Sequence, residues 1–174
     1  MKSFDGEVLF LDRKDINTDE IIPARYLSEV DKAALKPHLL EDVGLPGFDP
    51  ARDIPGKGAV LTRSNFGCGS SREHAVWALE VNGINVVIAE SFSRIFRQNM
   101  YNCGLVALEL PAATVAEIFR KHAGKRTVLR LDAKAGSLSL ASGGIRTEGR
   151  FTLSPFDRTL VEAGGWLEYA DARY

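Results

Sequence analysis

Residues Ile84-Asn85-Val86-Val87-Ile88-Ala89 are apolar at five of six positions. A run this short and continuous reads as a strand covered on both faces, the environment that crossover helices create around a parallel sheet. Before it, residues 71–82 place Ala75, Val76, Ala78 and Leu79 at roughly helical spacing and stop at Asn82-Gly83. After it, residues 91–102 put Phe92, Ile95, Phe96 and Met100 on one helical face, with Gly104 as the stop. Further out, Ala59 to Thr62 and Leu105 to Leu110 read as strands, and residues 112–123 as a helix opened after Pro111. This β-α-β-α-β-α order predicts an α/β fold with a mostly parallel core sheet and crossover helices.

The flanks differ. Glu7 to Leu11 reads as a strand, followed by the polar turn Asp12–Asp15 and a stretch where Asn17, Thr18 and Asp19 favour turns or caps. Residues 31–43 have helical composition interrupted by Pro37, and Gly44 to Lys57 is rich enough in Gly, Pro and Asp to be loop. Towards the C-terminus, Thr127–Asp132, Ser137–Ala141 and Ile145–Leu153 are alternating segments with glycine turns, an antiparallel meander. A helix over 155–163 closes the chain. Added β-hairpins are thus expected at both ends of the core, within one domain over residues 1–174.

Composition narrows the function. Twenty-two Lys+Arg against 23 Asp+Glu give a net charge of -1, which argues against counterion-driven nucleic-acid binding while leaving room for a local anion pocket. Two cysteines, Cys68 and Cys103, are too few for a disulfide framework and fit a reducing, cytoplasmic setting. They are also fewer than the three or four thiolates an iron–sulfur cluster or structural zinc takes, so no metal site is expected in this chain. The first 15 residues lack a signal-peptide pattern, and no run approaches the roughly 18 apolar residues of a membrane span.

The segment Ser64-Asn65-Phe66-Gly67-Cys68-Gly69-Ser70-Ser71-Arg72-Glu73-His74 joins a predicted strand to a predicted helix. It therefore lies at the carboxyl end of the sheet, where open α/β folds bind ligands. Gly67 and Gly69 allow positive φ and close backbone approach, the helix start offers N–H donors, Ser70 and Ser71 add hydroxyls, and Arg72 can grip a carboxylate. The same residues also admit a plainer explanation. Ser70 and Glu73 fit a capping box, and Arg72 stands where a dinucleotide fingerprint would have its third glycine. Spacing alone does not separate an anion cradle from a capped loop.

The residues themselves are more specific. Asn65 to Ala75 closely resembles the signature of the aconitase superfamily's swivelling domain, in the form found in the small subunits of 3-isopropylmalate dehydratases. Asn17 to Leu27 looks like that family's N-terminal motif, Ile88 to Phe96 like its second strand–helix unit, and Ala163-Gly164-Gly165 like its ending. The resemblance implies a swivelling β/β/α domain. It also implies a hydro-lyase of leucine biosynthesis that interconverts 2-isopropylmalate and 3-isopropylmalate by removing and returning water. On this reading the cofactor, a [4Fe–4S] cluster, belongs to a large partner subunit, and the substrate is a small di- or tricarboxylate hydroxy acid. By similarity Ser70 is the catalytic base, with Arg72 and Asp19 as further catalytic residues, and Gly69, Ser71 and Arg72 bind substrate. Asp19 would orient Arg72 or the serine, although a turn or helix cap accounts for it equally.

Substrate choice in the family is attributed to the loop after the Tyr-Leu of the N-terminal motif, here Ser28, Glu29 and Val30 followed by Asp31. Its acids would repel the third carboxylate of homoaconitate, which favours an alkylmalate. Homoaconitate, citraconate/methylmalate and dimethylmalate remain alternative substrates, and a phosphate- or nucleotide-binding module an alternative function. Ser28 and Asp31 could instead cap the next helix. Cys68 and Cys103 read as packing residues, and His74 as a structural residue able to orient Glu73 or a backbone carbonyl. His38 and His122 lie among polar residues with no motif. Arg94 and Arg97 face a partner, substrate or solvent.

Overall fold

The computed structural model describes residues 2–174. Strand β1 (Gly6–Leu11) is followed by three short helices, α1 (Thr18–Ile21), α2 (Lys32–Leu35) and α3 (Pro50–Asp53), and by β2 (Lys57–Thr62). Then come α4 (Glu73–Val81), β3 (Val86–Ala89), α5 (Arg94–Asn102), β4 (Val106–Glu109) and α6 (Ala112–His122). Strands β5 (Val128–Asp132), β6 (Ser137–Ser142) and β7 (Ile145–Arg150) precede α7 (Pro155–Ala163) and α8 (Trp166–Asp171). The seven strands form one sheet in the order β4-β3-β2-β1-β5-β6-β7.

Its two halves obey different rules. The β1–β2, β2–β3 and β3–β4 pairings are parallel, as crossover helices require. Val86, Val87, Ile88 and Ala89 are each 0% exposed, so the apolar run at β3 is covered on both faces. The β5–β6 and β6–β7 pairings are antiparallel hairpins. Their alternation buries Leu129, Leu131, Leu138 and Leu140 on one face and leaves the other to solvent.

Three expectations are revised. No N-terminal hairpin forms: β1 joins the parallel core beside β2 and pairs antiparallel only with β5. The 45 positions between β1 and β2, residues 12–56, supply a long connection of the kind that lets a chain return parallel. Inside the expected loop over 44–57, Asp49 caps α3 by accepting from the Ala51 amide at 3.1 Å and Pro50 takes the first helical position. The chain also continues past the 155–163 helix, through left-handed Gly164, into α8.

His122 departs furthest from its expected polar setting. It is 0% exposed at the end of α6, with Nδ1 2.6 Å from Ser142 Oγ and Nε2 2.7 Å from Thr147 Oγ1. A neutral imidazole satisfies both contacts by donating at one nitrogen and accepting at the other. Burial lowers its pKa from the ordinary imidazole value, and the nearby Lys125 and Lys121 lower it further. The unfolded chain therefore takes up a proton that the folded chain refuses. The stability tied to this site is present above the unfolded imidazole pKa of about 6.5 and is lost as pH falls below it. Unfolding free energy is expected to drop between pH 7 and 5, by at most about 1.4 kcal/mol per pH unit from this group. Urea titrations should show that part of the slope missing in His122→Gln, and an equal slope in the variant would refute the assignment.

Candidate active site

Three loops leave the carboxyl ends of β1, β2 and β3 and are joined side by side in the order of the strands. The Gly67 amide donates to Ile16 O at 2.8 Å and the Thr18 amide to Cys68 O at 2.9 Å, a parallel bridge between Asn17 and Cys68. On the other side the Phe66 amide donates to Ser91 O and the Ser93 amide to Phe66 O, each at 3.1 Å. Ser93 Oγ then donates to Gly67 O at 2.8 Å, and Ser91 Oγ accepts from the Asn65 amide at 2.8 Å. The ladder thus continues past the strands and holds the glycine loop from both flanks.

At Gly67 φ is +79°, and an added Cβ would lie 2.2 Å from Phe96 Cγ. Phe96 belongs to a ring cluster with Phe66 and Phe92, at centroid separations of 5.3 and 6.2 Å. Gly69 is also left-handed, at φ +93°, but its missing Cβ would have ordinary room. Conformation requires glycine at both positions; packing requires it only at Gly67.

Beyond this point the chain opens to solvent. Gly69, Ser70 and Ser71 are exposed, and α4 begins only at Glu73, with Arg72 as an extended N-cap that makes no side-chain cap bond. The proposed Ser70–Glu73 capping box is therefore absent. The capping box in this region lies at α1, where Asn17 Oδ1 accepts from the Glu20 amide and Glu20 Oε2 accepts from the Asn17 amide, both at 3.0 Å. Among the described residues, the amides of Gly69, Ser70, Ser71 and Arg72 and the two serine hydroxyls donate to no protein acceptor. Successive free N–H groups ahead of a helix make an anion-binding concavity.

Asp19 and Arg72, 53 positions apart in sequence, meet here: Arg72 Nη1 donates to Asp19 Oδ1. Thr18, buried one residue earlier, donates from Oγ1 to Ser70 O at 2.9 Å. Helix α1 thus braces the serine backbone and the arginine head group at once. The sequence reading missed Thr18, Ser91 and Ser93, whose only signal was their place inside the two flanking motifs.

Ser28, Glu29 and Val30 are exposed, Val30 at 92%. Asp31, rather than Ser28, caps α2, accepting from the Ala33 amide at 3.0 Å. His74 Nε2 lies 2.9 Å from Glu29 O. Burial, with Asp15 next in weight, raises the Cys68 pKa, and burial beside Glu80 and Glu73 pushes Cys103 up to about 12. Among the described residues no three of His, Cys, Asp and Glu group to hold a metal, and no helix is long and apolar enough to cross a membrane. Arg94 is exposed, and Arg97 lies 3.9 Å from Asp157 and over the Tyr101 ring. His38 stacks on Tyr26 at 3.8 Å. A concavity of about 1050 Å³ runs from Lys2–Asp5 to β5–β7 at the opposite end of β1 and is lined by none of these loops.

An α/β domain whose glycine–serine–arginine loop leaves amides free at the carboxyl end of a parallel sheet presents the donors that an anion would need. Its sequence matches the aconitase C-terminal domain over residues 4–113. It is 40% identical over 164 residues to the 3-isopropylmalate dehydratase small subunit of Deinococcus deserti, covering 92% of this chain and 83% of that one. Small subunit 2 of the same enzyme from Deinococcus radiodurans is 39% identical over 166 residues, covering 92% and 72%. The crystal structure of a 3-isopropylmalate dehydratase from Methanocaldococcus jannaschii superposes with a TM-score of 0.78 at 28% identity, over 98% of this chain and 94% of that chain. The chain belongs to the aconitase C-terminal domain family, in its 3-isopropylmalate dehydratase small-subunit branch.

Gly67→Ala combines a disfavoured φ with a clash against Phe96 and is expected to destabilise by about 2–5 kcal/mol. Gly69→Ala meets only the φ penalty, about 1–2 kcal/mol. Equilibrium urea unfolding of the two variants side by side checks the ranking.

Proposed function

We propose that this chain is the small subunit of a cytoplasmic hydro-lyase of leucine biosynthesis. It would interconvert 2-isopropylmalate and 3-isopropylmalate by dehydration and rehydration, with residues 1–174 acting as one domain. The observation that carries the reading is the convergence of four free amides, two serine hydroxyls and the Asp19–Arg72 pair at one loop. Relatives bearing the small-subunit name cover nearly the whole chain.

The reaction removes a weakly acidic proton beside a carboxylate while a hydroxyl leaves the neighbouring carbon, then returns water in the opposite sense. Ser70 takes that proton as an alkoxide. Such a base needs its negative charge stabilised, and the Gly69–Arg72 amides, the start of α4 and the Arg72 guanidinium provide fixed positive ends around it. Arg72, Ser71 and the Gly69 amide bind a substrate carboxylate, with the fork geometry of arginine suited to two parallel bonds. Asp19 holds Arg72 in place from α1.

The cluster that serves as Lewis acid in this chemistry belongs to a large partner subunit. Cys68 and Cys103 do not fit it, because burial raises both thiol pKa values and disfavours the thiolates a cluster needs. In the loop after Tyr26–Leu27, Val30 offers apolar surface to the isopropyl group, while Glu29 disfavours a third carboxylate.

The purified chain is expected to have no dehydratase activity alone and to gain it with a reconstituted cluster-bearing large subunit. Activity of the isolated chain would overturn the subunit reading. In the assembled enzyme Ser70→Ala should lower kcat by about 10²–10⁴-fold without weakening assembly. Retention of wild-type kcat would reduce Ser70 to a loop residue. Parallel assays with isopropylmalate, methyl- and dimethyl-substituted malates and homoaconitate rank the substrates.

A further inference from the structure

The loop at Ser28–Asp31 is tied to the helix that carries the anion cradle. His74 is the second residue of α4, two positions after Arg72, and its Nε2 is 2.9 Å from the carbonyl oxygen of Glu29. Because a carbonyl only accepts, the hydrogen lies on Nε2. Three positions along the same helix, Trp77 packs against His74 with ring centroids 4.6 Å apart. Lys32 lies over that indole, its Nζ 5.4 Å from the ring centre and 3.3 Å from Glu80 Oε2. One face of α4, from His74 through Trp77 to Glu80, therefore carries the chain from Glu29 to Lys32. Within the loop itself the Glu29 amide donates to Tyr26 O at 3.1 Å, which closes a turn but does not connect it to the cradle. Val30, the next residue, is 92% exposed.

We infer that His74 is a positioning residue for substrate selection: its hydrogen bond to Glu29 sets the distance between Val30 and the Arg72 cradle. The inference rests on the proposed function, in which Val30 meets the substrate's alkyl group. A loop ordered before binding keeps the apolar contact without paying for ordering when substrate arrives, so selectivity between alkyl groups depends on the latch. The latch touches no reacting atom. Its loss should therefore lower discrimination while leaving turnover of a small substrate intact.

The test uses the assembled enzyme with its large subunit, comparing kcat/KM for isopropylmalate against methyl-substituted malate. His74→Phe keeps the ring against Trp77 and removes the donor; His74→Gln restores a donor near Nε2. The Phe variant should lose about tenfold of the isopropyl preference, within the range one or two methylenes supply, with kcat on the methyl substrate within about twofold of wild type. The Gln variant should recover most of the preference. Hydrogen exchange at the Glu29 amide should quicken in His74→Phe, return towards wild type in His74→Gln, and leave the α4 amides unchanged. Val30→Ala probes the loop reading directly. A preference that shifts in Val30→Ala but not in His74→Phe overturns the latch and spares the loop. If neither variant shifts it, the loop does not select, and the latch falls with it. Equal losses on both substrates without rescue by Gln mark His74 as structural and also overturn the inference.

Discussion

The backbone of Gly67 lies where no side chain could, close against the ring of Phe96 and hydrogen-bonded on both sides. That close approach lets the loop after β2 sit between the loops after β1 and β3 and carry their ladder beyond the sheet. Phe66 and Cys68 then tie the loop to opposite neighbours, Phe66 bridged to Phe92 after β3 and Cys68 to Asn17 after β1. Two residues later the constraint ends. Gly69 turns the chain out, and Ser70 and Ser71 emerge with their amides free. Rigid anchoring directly before an unsatisfied segment is what preorganisation requires, because the amides keep their direction without a ligand.

Electrostatics completes the loop from a distance. Asp19 comes from α1, whose start is fixed by the Asn17–Glu20 capping box, and Arg13 further holds Glu20. An exposed ion pair contributes little to stability. The Asp19–Arg72 pair matters through position: it ties a flexible guanidinium to α1. Thr18 does the same for the Ser70 carbonyl. One short helix thus orders two elements of the site, and its brevity is tolerable because its ends are capped and Thr18 and Ile21 are buried.

The parallel core was legible because its determinants are local: apolar runs at β3 and β4, glycine stops after α4 and α5, and a proline ahead of α6. The site loop was legible as a set of residue types but not as a geometry. Sequence offered Ser70 either as a cap or as a chemical group, and only the placement of Arg72 at the N-cap removes the capping alternative. Contacts made by residues distant in sequence stayed hidden. His122 is flanked by Lys121 and by Ala123-Gly124-Lys125, which reads as surface, yet its partners arrive from β6 and β7, 20 and 25 positions on. The place of β1 in the parallel core was likewise invisible, since nothing in residues 6–11 states which neighbour they will take.

The position of the free amides bears on how such a site can work. Proton abstraction by a serine alkoxide needs low local dielectric, because water would screen the fixed dipoles that stabilise the anion. Here Ser70 and Ser71 lie on an exposed rim, and the concavity of about 1050 Å³ is at the other end of β1. On the proposed function this chain contributes donors, an arginine and a candidate base on a rigid support, and the opposite wall comes from elsewhere. On that reading the large subunit supplies the wall together with the cluster. Closing the two surfaces over the substrate would remove water at the moment the alkoxide forms. A rigid rim suits that task better than a deep pocket, since it can be covered and uncovered as a unit without rearranging its own hydrogen bonds.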